Sequence, residues 1–253
     1  MDLAKMYSNP ANLESRRVIH TKYSSGPSLL DETIRLARLS GAEDVLDVGC
    51  GQGLVLQSLA DKGHKGRLVG ADPYKGMFQA TNPKIEFLVS KAEGLPFRGA
   101  EFDRVIANHM LYHTEVQKAL AEIRRVLKPG GLLLASTNSK DSKPFYRGKC
   151  MAEVGARLGI KVPDVIGQFT LENGEAQLRA FFSEVSLHKI EFTITYPSIK
   201  PFLDSVSGRR HFWDVTDEQW GKILGICREM AEKEIAGKGK LQDVARTGIF
   251  VAK

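Results

Sequence analysis

The sequence predicts an α/β fold: a doubly wound, mostly parallel sheet of about seven strands with helices on both faces. Three observations predict it. Short apolar strand patterns alternate with amphipathic helical patterns from Val45 to Asn138, those strands are apolar along their length, and glycine- or proline-containing turns separate them. In such sheets, wound by right-handed crossovers, ligands sit beyond the carboxyl ends of the strands. The positions to inspect are therefore Asp47 to Gly53, Asp72, Ala92 to Glu93, and Asn108 to His113.

The elements follow in order. SLLDETIRLARLSG places Leu29, Leu30, Ile34, Leu36, Ala37 and Leu39 mostly on one helical face, with Ser28 or Asp31 as cap and Gly41 as stop. VLDVG is the first strand, and LVLQSLADKG a helix ended by Gly63. Then come the strand Arg67 to Asp72, a helix or loop through GMFQA, the strands Ile85 to Ala92 and Phe102 to Asn108, and the helix Val116 to Leu127. Pro129, Gly130 and Gly131 turn the chain into LLLASTN. Residues 139–170 read as a basic insertion with a helix from Lys149 to Leu158, followed by the helix EAQLRAFFSEV and the period-two strand SLHKIEFTITYP. A second insertion, 197–247, carries the helical pattern EQWGKILGICREMAEKEIA, and TGIFVAK is a terminal strand.

The 253 residues are 42% hydrophobic, which fits one large domain with insertions. The formal charge of +6 is spread over separated arginine pairs with acids nearby, a mildly basic surface without a nucleic-acid stripe. Cys50, Cys150 and Cys227 are odd in number and far apart, so neither a disulfide framework nor a metal site is predicted. No stretch has the length of a signal peptide's apolar core or of a membrane helix, and the expectation is a soluble, cytoplasmic protein.

The glycine loop carries the chemistry. GCGQG is G-x-G-x-G, and Leu54 stands where the dinucleotide fingerprint has its third glycine. Asp47 lies just before the loop, where its charge repels a pyrophosphate and attracts a cation. The turn suits a ligand with positive charge and no phosphate, such as S-adenosylmethionine, which has a sulfonium, an α-amino group and an unphosphorylated ribose.

DVGCGQG, the acidic strand end GAD, AEGLPF and VLKPGG, taken together and in this order, resemble the class I S-adenosylmethionine-dependent methyltransferases, in particular the small-molecule group related to the ubiquinone and menaquinone enzymes. The resemblance covers Val45 to Asn138 and implies a single Rossmann-like domain over residues 1–253, its sheet mostly parallel with an antiparallel last strand. It implies that Gly49 and Gly51 let the backbone approach the cofactor, with Cys50 between them, and that Asp47 anchors the loop or the ligand's amino-acid end. It further implies that Asp72 accepts from both ribose hydroxyls, that Ala92 and Glu93 meet the adenine, and that Asn108 lies near the methionine moiety. The N-terminal segment 1–26, with His20 and Tyr23, is implied to fold over the cofactor as a flap.

Methyl transfer needs a nucleophile in line with the S–CH3 bond, and positioning supplies much of the acceleration. The loop NHMLYHTE offers His109 and His113 as proton acceptors near working pH, with Tyr112 shaping the pocket. The expected acceptor is a small molecule enclosed by the flap and the two insertions. RNA methylation ranks second: the Asn-Pro-Pro-Tyr turn of exocyclic-nitrogen DNA enzymes is replaced here by Asn-His-Met-Leu, and no cysteine follows a proline. An NAD oxidoreductase lacks its third glycine, and a non-catalytic cofactor-binding module is the remaining alternative.

Overall fold

A computed structural model describes residues 18–19 and 21–253; the expected flap therefore lies partly outside the described residues, and His20 wholly so. The chain gathers into two compact units. One contains Pro27–Lys140, Val165–Ile190 and Thr247–Lys253; the other contains the described residues up to Gly26, Asp141–Asp164 and Glu191–Arg246.

The first of these holds the alternating elements. They are α1 (Leu29–Leu36), β2 (Val45–Val48), α2 (Leu54–Asp61), β3 (Leu68–Asp72), β4 (Ile85–Val89), β5 (Phe102–Asn108), α3 (Val116–Val126), β6 (Leu127–Asn138) and α5 (Gly174–Leu178). Two long strands, β7 (Val185–Tyr196) and β8 (Leu241–Ala252), run from one unit into the other, which also holds β1 (Ser24–Ser25), α4 (Met151–Leu158), α6 (Ile199–Ser207) and α7 (Asp217–Lys238). The hydrogen-bonded strand order is β1-β7-β8-β6-β5-β2-β3-β4. Parallel pairing joins β6, β5, β2, β3 and β4, whereas β8 runs antiparallel to β6. The fold is thus the predicted mixed α/β sheet, with eight strands; the eighth is the two-residue β1, antiparallel to β7.

Local chemistry explains the boundaries. Ser28 caps α1 by accepting from the Asp31 amide at 3.3 Å. The helix ends at Leu36, short of Gly41, because Arg38 turns left-handed at φ 49° and the Arg104 guanidinium takes the carbonyls of Ala37 and Arg38 at 2.6 and 3.3 Å. α3 buries Val116, Ala119, Leu120, Ile123 and Val126 on one face and runs directly into β6. The LKPGG turn is a bulge at the start of β6: the β5–β6 register shifts there, and Lys128 is anchored to Asp44 at 3.0 Å and Asp103 at 2.8 Å. These partly exposed ion pairs set the turn's geometry more than they stabilise the fold.

Three expectations are corrected. The helix over EAQLRAFFSEV stops at Leu178, because Glu184 exchanges backbone hydrogen bonds with Lys253 at 3.1 and 2.9 Å and draws the chain into β7. The helix expected from Lys149 begins at Pro144 as a π-helical segment running into α4, its first amides at Phe145 and Tyr146 each donating at 3.0 Å to the buried Asp243 carboxylate. β8 starts at Leu241, inside the segment read as an insertion, and its buried and half-buried residues alternate from Leu241 to Arg246. No described helix is long and apolar enough to cross a membrane.

Candidate active site

The central strand β2 is buried along its whole length, and it carries a carboxylate. Asp47 is only 3% exposed, and its Oδ1 has no hydrogen-bond partner. Burial, reinforced by the charge of Asp72, pushes its pKa up from 3.8 to about 8. An orphaned acceptor at the centre of a sheet is a standing cost, and such costs concentrate where a ligand supplies the missing donor.

The loop after β2 returns through three left-handed glycines, Gly49 at φ 66°, Gly51 at 52° and Gly53 at 75°. The amides of Gly49 and Cys50 both donate to the Ala71 carbonyl, at 2.7 and 3.2 Å, which ties the loop to β3. A Cβ on Gly49 would lie 2.7 Å from Met110 Cβ, and one on Gly53 would lie 2.9 Å from Phe87 Cζ. Around Gly51 nothing lies within 4 Å of such an atom. Of the two glycines expected to face the cofactor, Gly51 borders open space, whereas Gly49 makes room for a residue of the β5 loop. The Cys50 thiol lies against Gly70 of β3, and burial, with the charges of Asp47 and Asp72, pushes its pKa up, so it stays a neutral thiol.

Asp72 at the end of β3 binds the loop directly. Its Oδ2 accepts from the Gly51 amide and its Oδ1 from the Tyr74 amide, each at 2.9 Å. A carboxylate offers about four lone-pair positions, so roughly two remain for a diol. Burial is the main cause that raises its pKa. Among the described residues, no lysine or arginine perturbs either carboxyl group, so the strand-end hollow has two acidic groups and no cation to offset them.

After β4 the predicted contacts divide differently from expectation. Ala92 is a core residue. The Glu93 carboxylate accepts from the Glu115 amide at 2.9 Å and so holds the start of α3. Two apolar side chains are instead exposed near the same strand ends, Leu54 at 43% and Val89 at 60%.

Asn108 ends β5 opposite Ser136, and its buried Oδ1 is a second acceptor without a partner. The next residue, His109, is left-handed at φ 52°, and its amide donates to both the carbonyl and the hydroxyl of Ser136 at 3.1 Å. Its Nε2 lies 3.5 Å from Thr247 Oγ1. Tyr112 and His113 sit in the following 3-10 turn, their rings 4.4 Å apart, and Tyr112 is 6.4 Å from the His109 ring. Tyr23 belongs to the other unit, where its carbonyl accepts from the Thr195 amide at 2.8 Å. Glu172 and Asn173 hold turns: Glu172 accepts from Ser139 Oγ at 2.5 Å, and Asn173 Oδ1 accepts from the Thr170 amide at 2.7 Å.

Sequence reasoning covered Met110 only as part of the loop Asn108 to His113 and missed Ser136 and Thr247. Ser136 stands opposite Asn108 through the register of β5 on β6, which no local pattern reports.

Comparison with known proteins agrees with this geometry. The methyltransferase domain family matches residues 46–135, the stretch from β2 to β6. An uncharacterised methyltransferase of Mycobacterium bovis is 27% identical over 188 residues, 73% of this chain and 72% of that protein. A ubiquinone biosynthesis O-methyltransferase of Dinoroseobacter shibae is 33% identical over 125 residues, 46% of this chain and 48% of that protein. The solved structure of a methyltransferase candidate from Bacillus halodurans superposes with a TM-score of 0.63 at 19% identity, covering 89% of this chain and 98% of that one, a likeness of fold. The glycine loop, the acidic strand ends and these relatives agree: residues 46–135 form a methyltransferase domain of the class I S-adenosylmethionine-dependent type.

Proposed function

We propose that the chain transfers the methyl group of S-adenosylmethionine to a small-molecule acceptor. The observation that carries this is the buried, partnerless Oδ1 of Asp47, with the partnerless Oδ1 of Asn108 on the neighbouring strand. Together they suit a cationic amino-acid group, which would satisfy the lone acceptors and neutralise the carboxylate. Asp72 would take the ribose hydroxyls on its remaining lone pairs while keeping its hold on Gly51 and Tyr74. Leu54 and Val89 supply apolar surface for the base. The Asp72 carboxylate, and Asp47 once it has released its proton, oppose a pyrophosphate, which supports a nucleoside without phosphate over a dinucleotide.

The bound cofactor supplies an electrophilic methyl on a sulfonium. This chain's own residues bind and orient it, and His109 takes a proton from an acceptor whose nucleophilic atom must lose one. Tyr112 lies beside that histidine and His113 lies beside Tyr112, and the pair shapes the surroundings. The Dinoroseobacter relative's name supports an acceptor of metabolite size.

Calorimetry with S-adenosylmethionine, S-adenosylhomocysteine and NAD, followed by a panel of phenol, amine and carboxylate acceptors, tests the reading. Binding of the first two with no response to NAD is expected, and the reverse pattern sinks it. The pH dependence follows from Asp47. With a pKa of about 8 in the empty chain, its carboxyl holds a proton at neutral pH and must release it to pair with a cation. Affinity should therefore rise with pH up to about 8, by as much as about tenfold per unit, with roughly one proton released at pH ~7. Titrations in two buffers of different ionisation enthalpy measure that proton directly; no proton release would contradict the pairing.

A further inference from the structure

We infer that Thr247 is a positioning residue that fixes the tautomer of His109, so that the neutral ring carries its hydrogen on Nε2 and its lone pair on Nδ1. The chemical consequence rests on the methyl-transfer reading above, whereas the tautomer itself does not.

Thr247 lies on β8 opposite Asn138 and is 3% exposed. Its Oγ1 donates to the Thr137 carbonyl at 2.8 Å and lies 3.5 Å from His109 Nε2. A hydroxyl has one proton, and the carbonyl, which only accepts, takes it. The lone pairs of Oγ1 are what the ring meets, so Nε2 must be the donor. The backbone supports the same arrangement: the left-handed φ of 52° at His109 is held by its amide on the carbonyl and the hydroxyl of Ser136, both at 3.1 Å. Neighbouring strands thus fix main chain and ring separately, β6 the first and β8 the second. Among the described residues, the Tyr112 ring lies 6.4 Å from the His109 ring.

The consequence is a defined proton path. The acceptor's proton moves to Nδ1 as its electron pair takes the methyl, and the S–CH3 bonding pair stays on sulfur. The ring becomes imidazolium with Nε2–H already on Thr247 Oγ1, so no ring flip is needed. A ring with the opposite tautomer would present Nδ1–H to the acceptor and would have to flip or exchange its proton first.

The test is a long-range 1H–15N correlation spectrum of the full chain labelled in histidine, recorded at pH ~8, where a histidine with the reference pKa of about 6.5 is neutral. The chain has six histidines, and the His109 signals are those lost in His109→Gln. The expected pattern is protonated Nε2 and unprotonated Nδ1 in the native chain and in Thr247→Ser, with a mixture of tautomers in Thr247→Val. Protonated Nδ1 in the native chain overturns the inference, as does a Thr247→Val ring identical to the native one. Should Thr247→Val fail to fold, the native and Thr247→Ser spectra decide. In turnover, Thr247→Val should lower kcat by roughly threefold to tenfold with little change in KM, the worth of one modest hydrogen bond, and Thr247→Ser should restore it. A ring with the expected tautomer in a chain that methylates no acceptor upholds the assignment and counts against the methyl-transfer reading alone.

Discussion

Asp47→Asn is expected to abolish cofactor binding while leaving the empty protein more stable than the native chain. The two effects have one cause. Asp47 Oδ1 is buried without a partner, and the carboxyl's pKa stands at about 8 against an ordinary 3.8. Between those values the folded chain holds a proton that the unfolded chain has lost, so stability is highest below pH ~4 and declines as pH rises towards 8. Asparagine has nearly the same shape and no charge, and it removes that slope. A gain of roughly 1–3 kcal/mol at pH ~8 is expected, a Tm higher by several degrees. Binding should fall by about 100-fold or more, because a buried charge-assisted pair with a cation is lost, at about 3 kcal/mol. Thermal melts across pH 5–9 and calorimetry on the same samples check both. A variant that loses stability together with binding would make Asp47 a structural residue.

What the sequence made legible follows from range. Asp47, Asp72 and Asn108 were readable as strand ends because each closes a short apolar run, and the sheet's connectivity brings such ends to one edge. The glycines were readable because an L side chain is costly at positive φ, although sequence could not say which of them faces open space and which faces Met110. The tie of Glu93 to the Glu115 amide was not readable, because that partner is twenty-two residues away, where no local pattern reports it. Thr247 was invisible for the same reason, at a separation of 138 residues from His109. Its place depends on the antiparallel pairing of β8 with β6, a property of the whole sheet. The strand-end carboxyl groups were thus written locally, and the contacts around His109 were written in the topology.

Gly49→Ala and Gly51→Ala should separate those two layers. Both glycines are left-handed, at φ 66° and 52°, so either substitution costs about 1–2 kcal/mol in backbone strain. At Gly49 the new methyl would also meet Met110 Cβ at 2.7 Å and Cγ at 2.8 Å. Relieving that overlap means moving the β5 loop, at a further cost of about 1–3 kcal/mol. Met110 follows His109, so the displacement carries into the histidine, and kcat should suffer along with Tm. At Gly51 nothing stands within 4 Å, so the empty protein should lose only the backbone strain. The methyl would instead project into the space beside Asp72, whose Oδ2 holds the Gly51 amide at 2.9 Å. Cofactor affinity should then drop by at least about tenfold, equivalent to about 1.4 kcal/mol, with Tm lowered only by the few degrees that the backbone strain costs. A Gly51→Ala chain that binds S-adenosylmethionine with native affinity would show that the ligand lies elsewhere than against this loop.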